Sequence, residues 1–338
     1  MSKKVVISGY YGADNFGDEC ILETLVQRLK KFDAEITVLS TNPAKTAKIH
    51  QINSVKSFDI KKVVNVISKS DVLISGGGSL LQDATSLKSL FYYLFIIFTA
   101  QFYKKDVIIF AQGIGPISNK IGEFFTKILL KKCRWVSVRD DKSLFLLRGW
   151  GVKTELVCDP LFDLEISGSH PENRVGIQLR KFKTLSGKLL ITLANRVAID
   201  FPDKEIEIYS FQDSNDLEIC KHFESLLLSV NPNIKTNVIF NKTPKEMIKL
   251  MASLDYLIAM RFHAVLIALK YGIKTIAINY DYKVENIANE AKIPLLSMNA
   301  TEDYGYMFNR LKNLDNRALI DYSNNKKFNW EVFDLLVK

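Results

Sequence analysis

The chain is poor in the residues that break regular structure. It has 16 Gly and 8 Pro among 338 residues, about 5% and about 2% against usual shares of about 7% and about 5%. That shortage excludes a collagen-like or proline-rich linker protein. Cysteine is scarce as well, with four residues at 20, 133, 158 and 220. None forms a CxxC pair, and no Cys/His set has the spacing of a zinc site, so no metal is expected. Scattered thiols suit a reducing, cytoplasmic compartment. The longest uncharged apolar run, Ser89–Tyr103, has 15 residues, short of the roughly 20 that span a bilayer. The opening segment, MSKKVVISGYYG, lacks the apolar core of a signal peptide and runs straight into a strand pattern.

What is present is the balance of a globular protein, 47% hydrophobic and 25% charged. At roughly 150 residues per domain the length predicts about two domains. The net charge is +9, and the first 165 residues carry 23 Lys/Arg against 17 Asp/Glu. The excess is densest from Lys120 to Arg148, with eight basic residues and three acidic ones. Such a patch favours an anionic partner, although a solvated basic surface would read the same. The basic residues are not interleaved with any recognisable DNA or RNA module, so nucleic acid is not the expected partner.

Along the chain, short apolar strands alternate with helical periodicities. Strand patterns fall at Val5–Ser8, Ile36–Leu39, Val72–Ser75, Val107–Phe110, Trp135–Val138 and Glu155–Val157. Helical patterns lie between them, including a long one over 79–104. After an aperiodic linker at 159–173, strands resume at Val175–Leu179, Glu205–Tyr209, Thr236–Phe240, Tyr256–Ala259 and Thr275–Asn279. Continuous apolar strands in βα alternation predict parallel sheets covered on both faces. The expected fold class is α/β, with two Rossmann-like parallel-sheet domains facing a cleft. Their expected spans are 1–165 and 174–300, with a helical tail at 301–338.

The glycines cluster just after strands, where open α/β sheets bind ligands. After the first strand comes Gly9-Tyr10-Tyr11-Gly12-Ala13-Asp14-Asn15-Phe16-Gly17-Asp18-Glu19. This is not a GxGxxG fingerprint. Carboxylates opening the helix suit its dipole but would repel a pyrophosphate. Gly12, Asp14, Asn15 and Asp18 suit a hydroxyl-rich ligand instead, or simply a tight turn and a helix cap. Ser75-Gly76-Gly77-Gly78-Ser79-Leu80-Leu81-Gln82-Asp83 follows the third strand. Three successive glycines cost ordering entropy and point to something passing close to Gly77 and Gly78. Gln82, Asp83 and, after the next strand, Gln112 add polar groups on the same edge. Arg139 also follows a strand and suits a carboxylate or phosphate. In the second half, Met260-Arg261-Phe262-His263 and Tyr280-Asp281-Tyr282-Lys283 follow two strands. Arg261, His263 and Lys283 would converge on a small, multiply charged anion, while a solvated Lys283 or a structural His263 is the plainer alternative.

Taken in order, GYYGADNFGDE, SGGGSLLQD, FAQGIGP, SVRD, MRFHAVLIA and INYDYKV resemble the polysaccharide pyruvyl transferase family. The likeness is strongest to the CsaB-type enzymes of cell-wall polysaccharide and runs from about residue 5 to about 290. It implies a GT-B-like architecture and phosphoenolpyruvate as donor, with no cofactor. It also implies a saccharide acceptor, lipid-linked in some members, and hence a peripheral contact with the inner membrane face. The donor set carries over as Arg139, His263 and Lys283, with Arg261 alongside. Gly12, Asp14, Asn15, Gly77, Gly78, Gln82, Asp83 and Gln112 would then serve the acceptor. The implied reaction forms a pyruvate ketal on two hydroxyls and releases phosphate. It needs a general acid, for which His263 is the expected group, with Arg139 stabilising charge and Asp14 or Asp18 as base. Two other readings remain at this level: a GT-B glycosyltransferase using a nucleotide-activated sugar, and a non-catalytic binder of anionic saccharides.

Overall fold

The computed structural model describes residues 2–167, 171–183, 185–298 and 301–338. The chain divides into two compact units, one of residues 1–164 with 327–338 and the other of residues 165–326.

The first unit contains β1 (Lys4–Ser8), α1 (Phe16–Lys30), β2 (Glu35–Ser40), α2 (Pro43–His50), β3 (Asn53–Lys56), α3 (Ile60–Ser68), β4 (Val72–Gly76), α4 (Leu87–Phe102), β5 (Asp106–Gln112), α5 (Lys120–Lys131), β6 (Trp135–Val138), α6 (Asp141–Gly149) and β7 (Glu155–Leu156). Its strands form one parallel sheet in the order β3-β2-β1-β4-β5-β6-β7. Alternate strand residues point to opposite faces, and two cores follow from that. Val6, Leu73, Val107 and Ile109 pack under α3, α4, α5 and α6. Val5, Ile7, Ile74 and Ile108 pack under α1.

The second unit contains β8 (Arg174–Gln178), α7 (Gly187–Asp200), β9 (Glu205–Tyr209), α8 (Asp213–Val230), β10 (Thr236–Ile239), α9 (Pro244–Met251), β11 (Tyr256–Ala259), α10 (Phe262–Lys270), β12 (Lys274–Asn279), α11 (Tyr282–Glu290), β13 (Leu295–Ser297), α12 (Tyr304–Lys312) and α13 (Asn316–Asn324). Its parallel sheet has the order β10-β9-β8-β11-β12-β13. Thr243 opens α9 with a capping box, in which Glu246 accepts the Thr243 backbone N–H at 2.8 Å.

Four details differ from the sequence reading. β3 has no apolar run, because its NSVK sequence lies on a half-exposed edge. β13 is only three residues long. The helix expected from residue 79 starts at Leu87 instead. Before it, Asp83 is drawn aside to accept the Ser118 and Asn119 N–H groups at 2.8 and 2.7 Å. The linker expected at 159–173 begins late, because a 3-10 turn at Pro160–Asp163 buries Leu161 and Phe162; its residues 168–170 lie outside the described ones.

The tail expected as one helical piece over 301–338 is divided. α12 and α13 belong to the second unit, whereas α14 (Trp330–Val337) belongs to the first. The reason is chemical. Asp163 accepts the Phe328 N–H at 2.8 Å and the Trp330 indole N–H at 2.9 Å. Phe328 and Phe333 then bury their rings against Phe110 at 4.9 and 5.2 Å. Arg28 closes the contact with a bidentate pair to Asp334.

Candidate active site

A parallel sheet gathers its strand C-termini and the following helix N-termini on one edge. Ligands favour the point where successive connections leave in opposite directions. In the second unit that point lies between neighbours β8 and β11, since β8 leads to β9 on one side and β11 to β12 on the other. The residues arriving there are Arg180 after β8 and Arg261 and His263 after β11. Tyr280 and Lys283 follow β12 beside them.

Arg261 is the N-cap of α10 and offers no side-chain acceptor to its first turn. Among the described residues only α8 shares that feature. An uncapped first turn is a partial positive charge with N–H groups suited to an anion. The Arg261 guanidinium is buried and locked. Its Nε and Nη2 donate to the Asp216 carboxylate at 2.9 and 2.8 Å, and its backbone N–H donates to Gln178 Oε1 at 2.7 Å. Asp216 therefore offsets part of the charge while fixing the fork. Arg180 lies over the Tyr280 ring at 5.5 Å, and Phe182 meets the same ring edge-on at 5.3 Å. Burial raises the Tyr280 phenol pKa, and Arg180 partly opposes that rise. His263 is the second residue of α10, half-buried, with its ring against Phe262. Lys283 is half-buried in the first turn of α11, whose cap is Asp281. Three cationic side chains, an imidazole and a helix N-terminus suit a small anion with more than one charged group.

In the first unit the reversal lies between β1 and β4, and the loops after these strands pack on each other. Tyr11 is fully buried and donates its phenol to Gly76 O at 2.8 Å. Burial raises its pKa, as do the Asp18 and Glu19 charges, so it is a neutral donor. Gly12 (φ +75°) and Gly78 (φ +58°) take the left-handed backbone that favours glycine. A Cβ at Gly78 would fall on Asp18 Oδ1, and one at Gly12 on Ser40 Oγ. One at Gly77 would meet Tyr11 Oη at 2.9 Å. The close approach inferred for these glycines is thus to the protein's own Asp18, Ser40 and Tyr11. Gly78→Ala is expected to cost about 1–3 kcal/mol in strain and to displace Asp18. A lowered denaturation midpoint checks this, and an unchanged one would contradict it.

Glu19 holds the first loop by accepting the Gly12 N–H at 2.7 Å. Behind it His50 is buried between Glu19, 3.7 Å from Nε2, and Glu23, 2.8 Å from Nδ1. Burial, the largest single influence, pulls the His50 pKa down. The hydrogen bonds and charges of the two glutamates together raise it above 6.5. A folded pKa above the unfolded one stabilises the fold fully below about pH 6.5, and that gain is lost as pH rises through the folded value. The melting-temperature gap between wild type and His50→Gln should therefore be widest in mild acid and narrow with rising pH. A gap independent of pH would contradict this.

The other sequence-derived residues divide plainly. Asp18 is buried in the first turn of α1 beside the glycine loop. Asp14 is exposed and pairs with Lys45 at 2.7 Å. Asn15 caps α1 through the Gly17 N–H, and the Gln82 amide is bonded to Thr85. Asp83 ties two loops together, and the Ser118 and Asn119 N–H groups lower its pKa. Gln112 is fully buried and braces β5 against β4 by donating to Ser75 O and Oγ at 2.8 and 2.9 Å. Its expected place in an acceptor set does not suit a side chain with no exposure. Arg139 is buried in an ion pair with Asp159 and belongs to the first unit. Arg261, His263 and Lys283 share the edge of the second.

Arg180 and Asp216 escaped the sequence reading. Arg180 sits just past a strand at the reversal point, and knowledge of the strand order would have singled it out. Asp216 looks in sequence like any acidic residue in a helix's first turn. Nothing there signals its burial.

The sequence from residue 15 to 282 matches the family described as polysaccharide pyruvyl transferase. The chain belongs to that family. The matched span of this pyruvyl transferase includes Asp18, Arg139, Arg180, Arg261 and His263 and ends one residue before Lys283. No curated protein matches the chain in sequence. Among solved structures, Anabaena HepE in complex with UDP and glucose superposes with a TM-score of 0.64 at 13% identity, over 99% of both chains. A putative UDP-N-acetylglucosamine 2-epimerase from Listeria monocytogenes gives 0.62 at 8% identity, over 96% of this chain and 91% of its own. The UDP-GlcNAc 2-epimerase of Neisseria meningitidis bound to UDP-GlcNAc gives 0.59 at 12% identity, over 100% of both chains. The pyruvyl transferase thus has two parallel-sheet α/β domains of the GT-B glycosyltransferase and epimerase fold.

Proposed function

We propose that the protein transfers the enolpyruvyl group of phosphoenolpyruvate to two hydroxyls of a saccharide. It thereby forms a pyruvate ketal and releases phosphate during cell-surface polysaccharide synthesis, as in the CsaB-type branch of the family. The observation that carries this reading is the cation set on the second unit's sheet edge, where Arg180, Arg261, His263 and Lys283 follow β8, β11 and β12. A carboxylate and a phosphate on one small molecule call for that many donors.

In the proposed sequence His263 gives a proton to the methylene carbon of the donor. A sugar hydroxyl bonds to the adjacent carbon and phosphate leaves from it. The second hydroxyl then bonds to the same carbon and closes the ketal; of the two hydroxyl protons one restores His263 and the other leaves with phosphate, so one donor and one diol give one ketal and one phosphate. Arg180, Arg261 and Lys283 hold the donor's charges throughout. Asp18 is the preferred base, because it is buried in the first turn of α1 whereas Asp14 is exposed. Arg139, held by Asp159, acts by fixing the first unit's edge rather than as an acid. Burial pushes the Cys133 and Cys220 thiols up to about 12.

The test is to incubate the protein with phosphoenolpyruvate and a panel of cell-surface saccharides. The expected result is a glycan that gains pyruvate less water, with one phosphate released per ketal. Glycosyl transfer from a nucleotide sugar to the same panel, with no ketal, would favour the reading that the UDP-bound structural neighbours suggest.

A further inference from the structure

We infer that the outer surface of the layer α3–α6 is a docking face for an anionic lipid bilayer. In α4 the exposed Leu87, Phe91, Phe98 and Phe102, with half-buried Phe95, fall on one stripe of the helix. That stripe lies opposite Tyr93, Ile96 and Ala100, which are buried in the core. It is no remnant of the core, since Phe98 is 53% exposed and Phe102 68%. α5 packs beside α4, where Gln101 donates to Leu129 O at 2.8 Å. It presents a second stripe of Ile121, Phe124 and Phe125. α6 adds Phe145, and α3 adds Ile60 with the adjoining Phe58. Exposed aromatic residues clustered on one layer differ from the scattered apolar residues of an ordinary surface.

Charge selects the occupant. Within these four helices Lys61, Lys62, Lys88, Lys120, Lys127, Lys131, Lys142 and Arg148 stand against Glu123 and Asp141. Lys104, Lys105, Lys132 and Arg134 extend the positive rim. Aromatic groups that enter the headgroup region, ringed by lysines that meet its negative potential, match an anionic membrane surface. A second copy of the chain would oppose this positive face with its own. No helix among the described residues is long and apolar enough to cross a membrane, so the contact lies on the bilayer rather than through it. The inference stands whether or not phosphoenolpyruvate is the donor. If the acceptor is lipid-linked, the face also accounts for how the enzyme meets it.

The experiment is flotation of the full chain with vesicles of phosphatidylcholine alone or mixed with phosphatidylglycerol. The expected result is flotation with the mixed vesicles only, lost in high salt. Lys120→Glu/Lys127→Glu/Lys131→Glu should weaken partition at least about a hundredfold. Phe98→Ser/Phe102→Ser/Phe124→Ser should weaken it comparably, with both variants melting as the wild type does. Should the Phe variant fail to fold, Phe98→Trp gives a second readout, an emission blue shift on adding mixed vesicles. Absence of flotation, flotation indifferent to the substitutions, or no blue shift would overturn the inference. So would a vesicle-indifferent dimer that the same substitutions dissociate.

Discussion

Asp216→Ala is expected to destabilise the second unit by about 3–5 kcal/mol, because it strands the buried Arg261 guanidinium without its carboxylate. Arg261 forms two hydrogen bonds to Asp216 and a backbone bond to Gln178. The loss should therefore reach the start of α10 and weaken anion binding as well. Chemical denaturation gives the stability term, and a double variant separates it from function. Arg261→Met/Asp216→Leu removes both charges and should regain much of the stability, yet bind donor no better than Asp216→Ala. A double variant that regains both would place Arg261 outside the donor site. An Asp216→Ala protein as stable as wild type would contradict the buried pair.

The second large effect is on turnover. If His263 is the general acid, His263→Ala should lower the rate of phosphate release with acceptor by about 10²–10⁴-fold. Folding should be unaffected, because His263 is half-buried at a helix start rather than in the core. Lys283→Ala should act differently, raising the donor concentration needed while leaving a larger share of the maximal rate. Continuous phosphate detection over a range of phosphoenolpyruvate concentrations distinguishes the two patterns. Equal effects on rate and on donor requirement for both residues would argue that His263 only binds.

These expectations draw on features that differed in how legible they were. The βα alternation, the glycine turns and the cationic residues after β11 and β12 were plain in sequence, because strand ends and loop chemistry are local. Strand order was not local, so Arg180 after β8 went unnoticed although it shares the reversal point with Arg261. Burial was equally hidden. Gln112 and Arg139 sit at the expected strand ends and Asp83 in the loop after β4, but hydrogen bonds to Ser75, to Asp159 and to the Ser118 and Asn119 amides occupy them. The triple glycine signals a close approach in sequence but not its partner, and the groups that approach are Tyr11 and Asp18 of the same unit. The division of the helical tail is hidden in sequence because the pairing of Phe328 and Trp330 with Asp163 spans more than 160 positions.

The most direct test of the central claim is calorimetric titration of the wild-type chain with phosphoenolpyruvate and, separately, with a panel of UDP-sugars. The expected result is saturable binding of phosphoenolpyruvate alone, weakened by Lys283→Ala and by Arg180→Ala. Saturable binding of a UDP-sugar with none of phosphoenolpyruvate would contradict it.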